Sequence, residues 1–88
     1  MKTDTKESLL RYKEHGIDPG EFLRFVLCNS LIGALNYADN DNAKDLKEIV
    51  RFVSDELPWS AWGSLEKVSA WKSQGGLVGI EEKEGMIV

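Results

Sequence analysis

Apolar residues recur along this chain at helical spacing, and clusters of Asp, Asn, Pro and Gly interrupt them at short intervals. Asp4, with Glu7 three residues on, has the form of a capping box, and Gly16 is a natural helix stop. Between them Leu9, Leu10 and Tyr12 form a narrow stripe on an otherwise charged cylinder, which predicts a surface helix with one face down. Asp18-Pro19-Gly20-Glu21 is a stronger start signal, with Asp as N-cap, Pro at the first helical position and Glu21 at the capping-box position. The run Phe22 to Cys28 is apolar on nearly every side except Arg24. Alone it fits a buried strand as well as a helix, and the cap in front selects the helix. Asn29-Ser30 marks a break or kink. Leu31, Ile32, Ala34, Leu35 and Ala38 then predict a third short helix that tolerates Gly33.

Asp39-Asn40-Asp41-Asn42 is a turn cluster leading into a helix capped at Asn42, with Asp45 in its first turn. Its expected core face is Leu46, Ile49, Val50, Val53 and Leu57, with Lys44, Lys47, Glu48, Arg51 and Asp55 on the other side. Pro58 ends it, because the residue before proline is pushed out of the α region. Ser64 can cap a last helix through Leu65, Val68 and Trp71 that stops at Gly75-Gly76. The pattern therefore predicts an all-α fold, a compact bundle of four to five short helices over residues 1–76. Residues 77–88 place two apolar pieces around the charged Glu81-Glu82-Lys83-Glu84-Gly85, and predict an irregular or β-like tail: a frayed hairpin, a strand added to a partner's edge, or a disordered segment.

Length limits the chain to one core. At 88 residues it lies near the lower end for independent folding, so association with itself or a partner would add stability, and a homo-oligomer is expected. The formal charge of −4 comes from fifteen acidic and eleven basic side chains interleaved along the chain, which disfavours both unaided nucleic-acid binding and DNA mimicry. The single cysteine, Cys28, falls in an apolar run and reads as a small buried hydrophobe, consistent with a reducing cytoplasm. The polar N-terminal residues lack an apolar signal region, and no stretch approaches the roughly 18 apolar residues of a membrane span. A cytoplasmic location without membrane contact is the expectation.

The inventory for catalysis is thin. The only histidine, His15, sits at a helix end beside Lys13 and Glu14, where interaction with the helix dipole explains it. One Cys and one His do not make a tetrahedral zinc set within one chain. Asp39 and Asp41 have the alternate spacing that opens a calcium loop, but Ala43, Lys44 and Val50 stand where such a loop needs ligands and glycine. Turn and helix cap is the better reading. Gly75, Gly76 and Gly79 do not follow a strand in the order a phosphate-binding loop requires. No enzymatic activity, metal site or cofactor is expected, and function points to binding.

Aromatic weight is the feature that stands out. Trp59, Trp62 and Trp71 are of the residue type that dominates interface hot spots, and the segment Trp59 to Ser64, including Gly63, is a candidate contact loop. The competing reading makes these indoles a lid on the helical core. Arg24 and Arg51, each isolated on an apolar-rich helix, are candidates for holding phosphate or carboxylate, although solvation or intramolecular pairing is the commoner fate of such residues. With Tyr37 or a tryptophan stacking on a base and Lys67 adding charge, they define an alternative: a small oligomer that sequesters a nucleotide-like signal.

Pro19-Gly20-x-Phe22-Leu23-x-x-Val26-Leu27-x-Asn29, Ala38-Asp39, Asn42, Ile49-Val50-x-Phe52-Val53, Leu57-Pro58, Trp62-Gly63-Ser64 and Trp71 form a spaced series. Over roughly Leu10 to Trp71 it resembles a group of short uncharacterised proteins encoded by phages, prophages and bacteria. The chain departs from the group at Asn29-Ser30-Leu31, where an acidic residue follows the Asn in the group, and after Trp71. The resemblance implies an accessory, regulatory or host-interaction role and supplies no reaction or ligand. The leading expectation is thus a phage or mobile-element accessory protein that binds a host protein stoichiometrically, to inhibit or redirect it, with anti-defence activity as one form.

Overall fold

The computed structural model describes the backbone of residues 1–87 and the side chains of residues 1–81. These residues form an all-α fold of seven α-helices and one 3-10 turn: α1 Thr3–His15, α2 Glu21–Leu27, α3 Leu31–Tyr37, α4 Asn40–Lys44, α5 Leu46–Glu56, the 3-10 turn Trp59–Ala61, α6 Leu65–Gln74 and α7 Gly76–Ile87. Helices are more numerous than the expected four to five because the Asp39 region makes a short helix of its own and the tail is helical.

The helix ends show where local chemistry acted. Gly16 adopts the left-handed conformation, φ 69°, and its N–H donates to Tyr12 O at 2.9 Å, closing α1 as expected. At the other end α1 begins at Thr3 behind Lys2, which makes no side-chain cap, so Asp4 lies in the first turn and interacts with the helix dipole without capping it. Asp18 is likewise displaced from its expected capping role. Its Oδ1 accepts from Gly20 N–H at 2.8 Å in a turn, and α2 starts only at Glu21. Asp39, and not Asn42, caps the following helix, accepting from Asn42 N–H at 2.7 Å. That helix stops at Lys44, and α5 restarts at Leu46.

Asn29 closes α2 in the left-handed region, φ 62°. Its N–H donates to Val26 O at 3.0 Å and that of Ser30 to Phe25 O at 2.9 Å, the paired bonds of a Schellman motif. The chain then reverses, and α3 packs along α2. A glycine is needed for this approach, because a Cβ on Gly33 would stand 2.4 Å from Phe25 Cδ1. The Phe25 ring also stacks on Tyr37, with centroids 5.2 Å apart.

One core joins Leu9 and Tyr12 of α1, Phe22, Leu23 and Leu27 of α2, Ala34 of α3, Ile49 and Val53 of α5, and Leu57, Ala61, Val68 and Trp71. Two buried hydrogen bonds pin α1 to the C-terminal half: Tyr12 Oη donates to Ala61 O at 2.6 Å, and Trp71 Nε1 donates to Tyr12 O at 2.9 Å. Burial pushes the Tyr12 hydroxyl pKa well above its ordinary value.

The expected β-like tail is corrected: Gly76–Ile87 is α-helical. Gly75 and Gly76, at φ 83° and 68°, turn the chain after α6, and Gly76 lies so close to α1 that a Cβ there would meet Glu14 O at 2.7 Å. Leu77 and Ile80, spaced for the inner face of a helix, pack against the core. The side chains of Glu82 to Val88, which include most of the anticipated charged turn, lie outside the described residues.

Candidate docking surface

The helix α3 buries only Ala34. On a 3.6-residue wheel Gly33, Ala34 and Tyr37 turn towards α2, while Leu31, Ile32 and Leu35 share the opposite face. Those three side chains are 62%, 78% and 48% exposed. Val50 of α5, expected in the core, is also about half exposed, because the buried face of α5 is centred on Ile49 and Val53. The result is a shallow apolar groove. Val26, Leu31, Ala34, Leu46 and Val50 line a cavity of about 70 Å³ at its α3 end. Val26, Asn29 and Val50 continue into a second cavity of about 130 Å³, closed by Val53, Ser54 and Trp62.

Leu31, Ile32, Leu35 and Val50 together expose on the order of several hundred Å² of apolar surface, the size of the largest patch on a typical monomer, which is often a functional one. Leu31, Ile32 and Leu35 lie on one side of α3 and Ala34 on another, so this seven-residue helix carries apolar groups in two directions and buries only one.

The tryptophan segment divides. Trp71 is 1% exposed and belongs to the core, so it is removed from the candidate contact residues. Trp62 is half-buried, its Nε1 donates to Leu57 O at 3.3 Å, and its ring closes one end of the apolar groove. Gly63 N–H donates to Leu27 O at 2.7 Å, tying the loop to α2, and Ser64 Oγ accepts from Lys67 N–H at 3.2 Å as the α6 cap. Trp59 alone projects outward, 79% exposed.

The charged candidates do not converge. Arg24 donates to Asp18 Oδ2 at 3.1 Å, and Lys72 Nζ reaches the same oxygen at 2.7 Å. These partners, Lys72 foremost, hold the Asp18 carboxyl pKa down at about 2. Arg51 lies on α5 beside Lys44, Asp45, Lys47 and Glu48. Tyr37 has one face occupied by Phe25. Lys67 stands in the first turn of α6, exposed, near Gly63.

His15 is exposed in the last turn of α1. Cys28 is half-buried beside the end of α2, and desolvation pushes its thiol pKa up. The acidic turn is drawn to Lys2, whose Nζ lies 2.9 Å from Asp39 Oδ2 and 3.5 Å from Asp41 Oδ2. Among the described residues no group of three or more His, Cys, Asp and Glu side chains is placed to hold a metal ion, and no helix is long and apolar enough to cross a membrane.

A scan of family models, a search of curated proteins and a search of solved structures return no match to this chain.

Proposed function

We propose that this chain is a non-enzymatic binding protein that docks stoichiometrically onto a partner protein through the apolar face of α3 and α5. The observation that carries this reading is the outward display of Leu31, Ile32 and Leu35 on one helix face, of which Leu31 lines a cavity together with the half-exposed Val50. Covering such a face removes apolar area from water, about 25 cal/mol per Å² before the costs of association. The tryptophan loop contributes at its edge, through Trp62. An accessory role in a host cytoplasm, inhibiting or redirecting one host protein in the service of a phage or mobile element, is the biological setting we propose, and it rests on the spaced residues from Pro19 to Trp71.

The nucleotide-sequestering alternative receives no support from the placement of Arg24, which is engaged by Asp18, or of Tyr37, which is stacked on Phe25. Affinity recovery from host extract tests the docking reading. A single stoichiometric protein should be recovered with the wild-type chain and with Trp59→Ala, and lost with Ile32→Ser/Leu35→Ser, whose circular dichroism should stay unchanged. Recovery that survives the double substitution, or turnover of a defined substrate by homogeneous protein, refutes it.

A further inference from the structure

We propose that the cavity closed by Trp62 is an anchor pocket that takes one single-ring aromatic side chain from the partner protein. The inference rests on the docking reading above and adds what the partner must insert. Val26, Val50, Val53 and Trp62 line the cavity, with Asn29 and Ser54 as its polar members. Val53 is buried, Val26 and Trp62 are half-buried, and Val50, Asn29 and Ser54 are exposed, so the floor is apolar and both polar side chains stand at the mouth. The walls are fixed before anything binds. Trp62 Nε1 donates to Leu57 O at 3.3 Å, and Gly63 N–H donates to Leu27 O at 2.7 Å, which holds the loop against α2. A preformed pocket spares the ordering cost that weakens binding to mobile surfaces.

Volume selects the occupant. The cavity measures about 130 Å³. An apolar cavity of about 150 Å³ holds a benzene ring, so this one, open at its mouth, has room for one ring and little more. Free small molecules are held in pockets of about 300 Å³ or larger, and the adjoining cavity of about 70 Å³ does not bring the space to that size. The group that fills it therefore comes attached to something larger. Val26, Asn29 and Val50 line both cavities, so the pocket opens onto the same face as Leu31, where the partner is seated. Trp62 favours an aromatic group over an aliphatic one, because a ring set edge-on or offset against the indole gains attraction beyond the area it buries. The Asn29 amide, which can both donate and accept, stands at the mouth, where the backbone that carries the ring would cross. One aromatic side chain buried in a preformed pocket is the usual form of an interface hot spot.

The experiment titrates the full chain, its valine methyls isotope-labelled, with N-acetyl-phenylalanine amide and with the leucine and tryptophan counterparts. The phenylalanine compound should shift the methyls of Val26, Val50 and Val53 and the indole N–H of Trp62, and bind about threefold or more tightly than either counterpart. Val50→Phe, which sets a ring in the mouth, should abolish those shifts. Val26→Ala, which widens the cavity, should let the tryptophan compound bind as well as the phenylalanine one. Neither position is fully buried, and the circular dichroism of both variants should match wild type. In recovery from host extract, Val50→Phe should weaken partner binding by about tenfold or more. If Ile32→Ser/Leu35→Ser abolishes recovery while Val50→Phe leaves it intact, the anchor is refuted and the docking face stands. Recovery indifferent to both would refute both. A leucine compound that binds as tightly as the phenylalanine one, or valine methyls unmoved by all three, would overturn the aromatic anchor.

Discussion

Gly33→Ala tests how α3 is held in place to present its outer face. In an exposed helix interior, alanine in place of glycine stabilises by about 1 kcal/mol. Here the added methyl would stand 2.4, 2.7 and 2.8 Å from Cδ1, Cε1 and Cγ of Phe25, so the ring must swing away near its base. Doing so breaks the stack on Tyr37, about 0.5–1.5 kcal/mol, and overpacks the α2–α3 contact, about 1–3 kcal/mol. The costs exceed the propensity gain, leaving a net loss of about 2 kcal/mol. With a urea slope near ~1 kcal/mol per molar for a chain this small, the unfolding midpoint should fall by about 2 M. Phe25→Leu/Gly33→Ala should recover much of the loss, giving a large coupling in a double-mutant cycle. A Gly33→Ala protein as stable as wild type, or more so, would mean that Phe25 does not lie over Gly33 and that α3 is mounted differently.

Trp71→Ala should cost about 3–5 kcal/mol in denaturant unfolding, because it empties a core site and deletes the bond to Tyr12 O, whereas Trp59→Ala should stay within about 0.5 kcal/mol. Equal effects would refute the division of the tryptophans. Because burial raises the Tyr12 pKa, the neutral phenol favours the folded state. Its contribution is complete below about pH 10, the unfolded value, and is lost as pH rises towards the folded one. Tyr12→Phe should lack that alkaline decline in a pH series of unfolding curves, while losing about 1–3 kcal/mol at neutral pH with the 2.6 Å bond to Ala61 O. Asp18, held at about 2, works in the opposite direction. It stabilises the fold above about pH 4, and the contribution fades as pH falls to about 2, so Asp18→Asn should be less stable at neutral pH and show a flatter acid limb.

The sequence carried the all-α class and most helix stops, because Gly16, Asn29-Ser30, Pro58 and Gly75 act through backbone geometry that their neighbours cannot override. Helix starts were less legible. Asp4 and Asp18 had the composition of caps, but the helices began elsewhere, and Asp18 was recruited by Lys72, fifty-four residues away. The tail was misread for a related reason: glycines and a charged stretch resemble a hairpin turn locally, while the close contact of Gly76 with α1 that positions α7 is tertiary. Tryptophan count alone did not separate the indoles, of which Trp71 is core, Trp62 is half-buried at the end of the apolar groove and Trp59 is exposed. The exposure of this apolar face was not legible because periodicity reports which residues share a side, not whether a neighbour exists to cover it. Leu31, Ile32, Leu35 and Val50 all satisfied the pattern of core residues and remained outside.

The most direct test is an amide chemical-shift map of the isotope-labelled chain on adding the partner recovered from host extract. The largest changes should fall in Leu31–Tyr37 and across Leu46 to Ser54, with smaller ones at Trp62. Changes confined to Trp59–Ala61 and the start of α6, with α3 unmoved, would contradict the account.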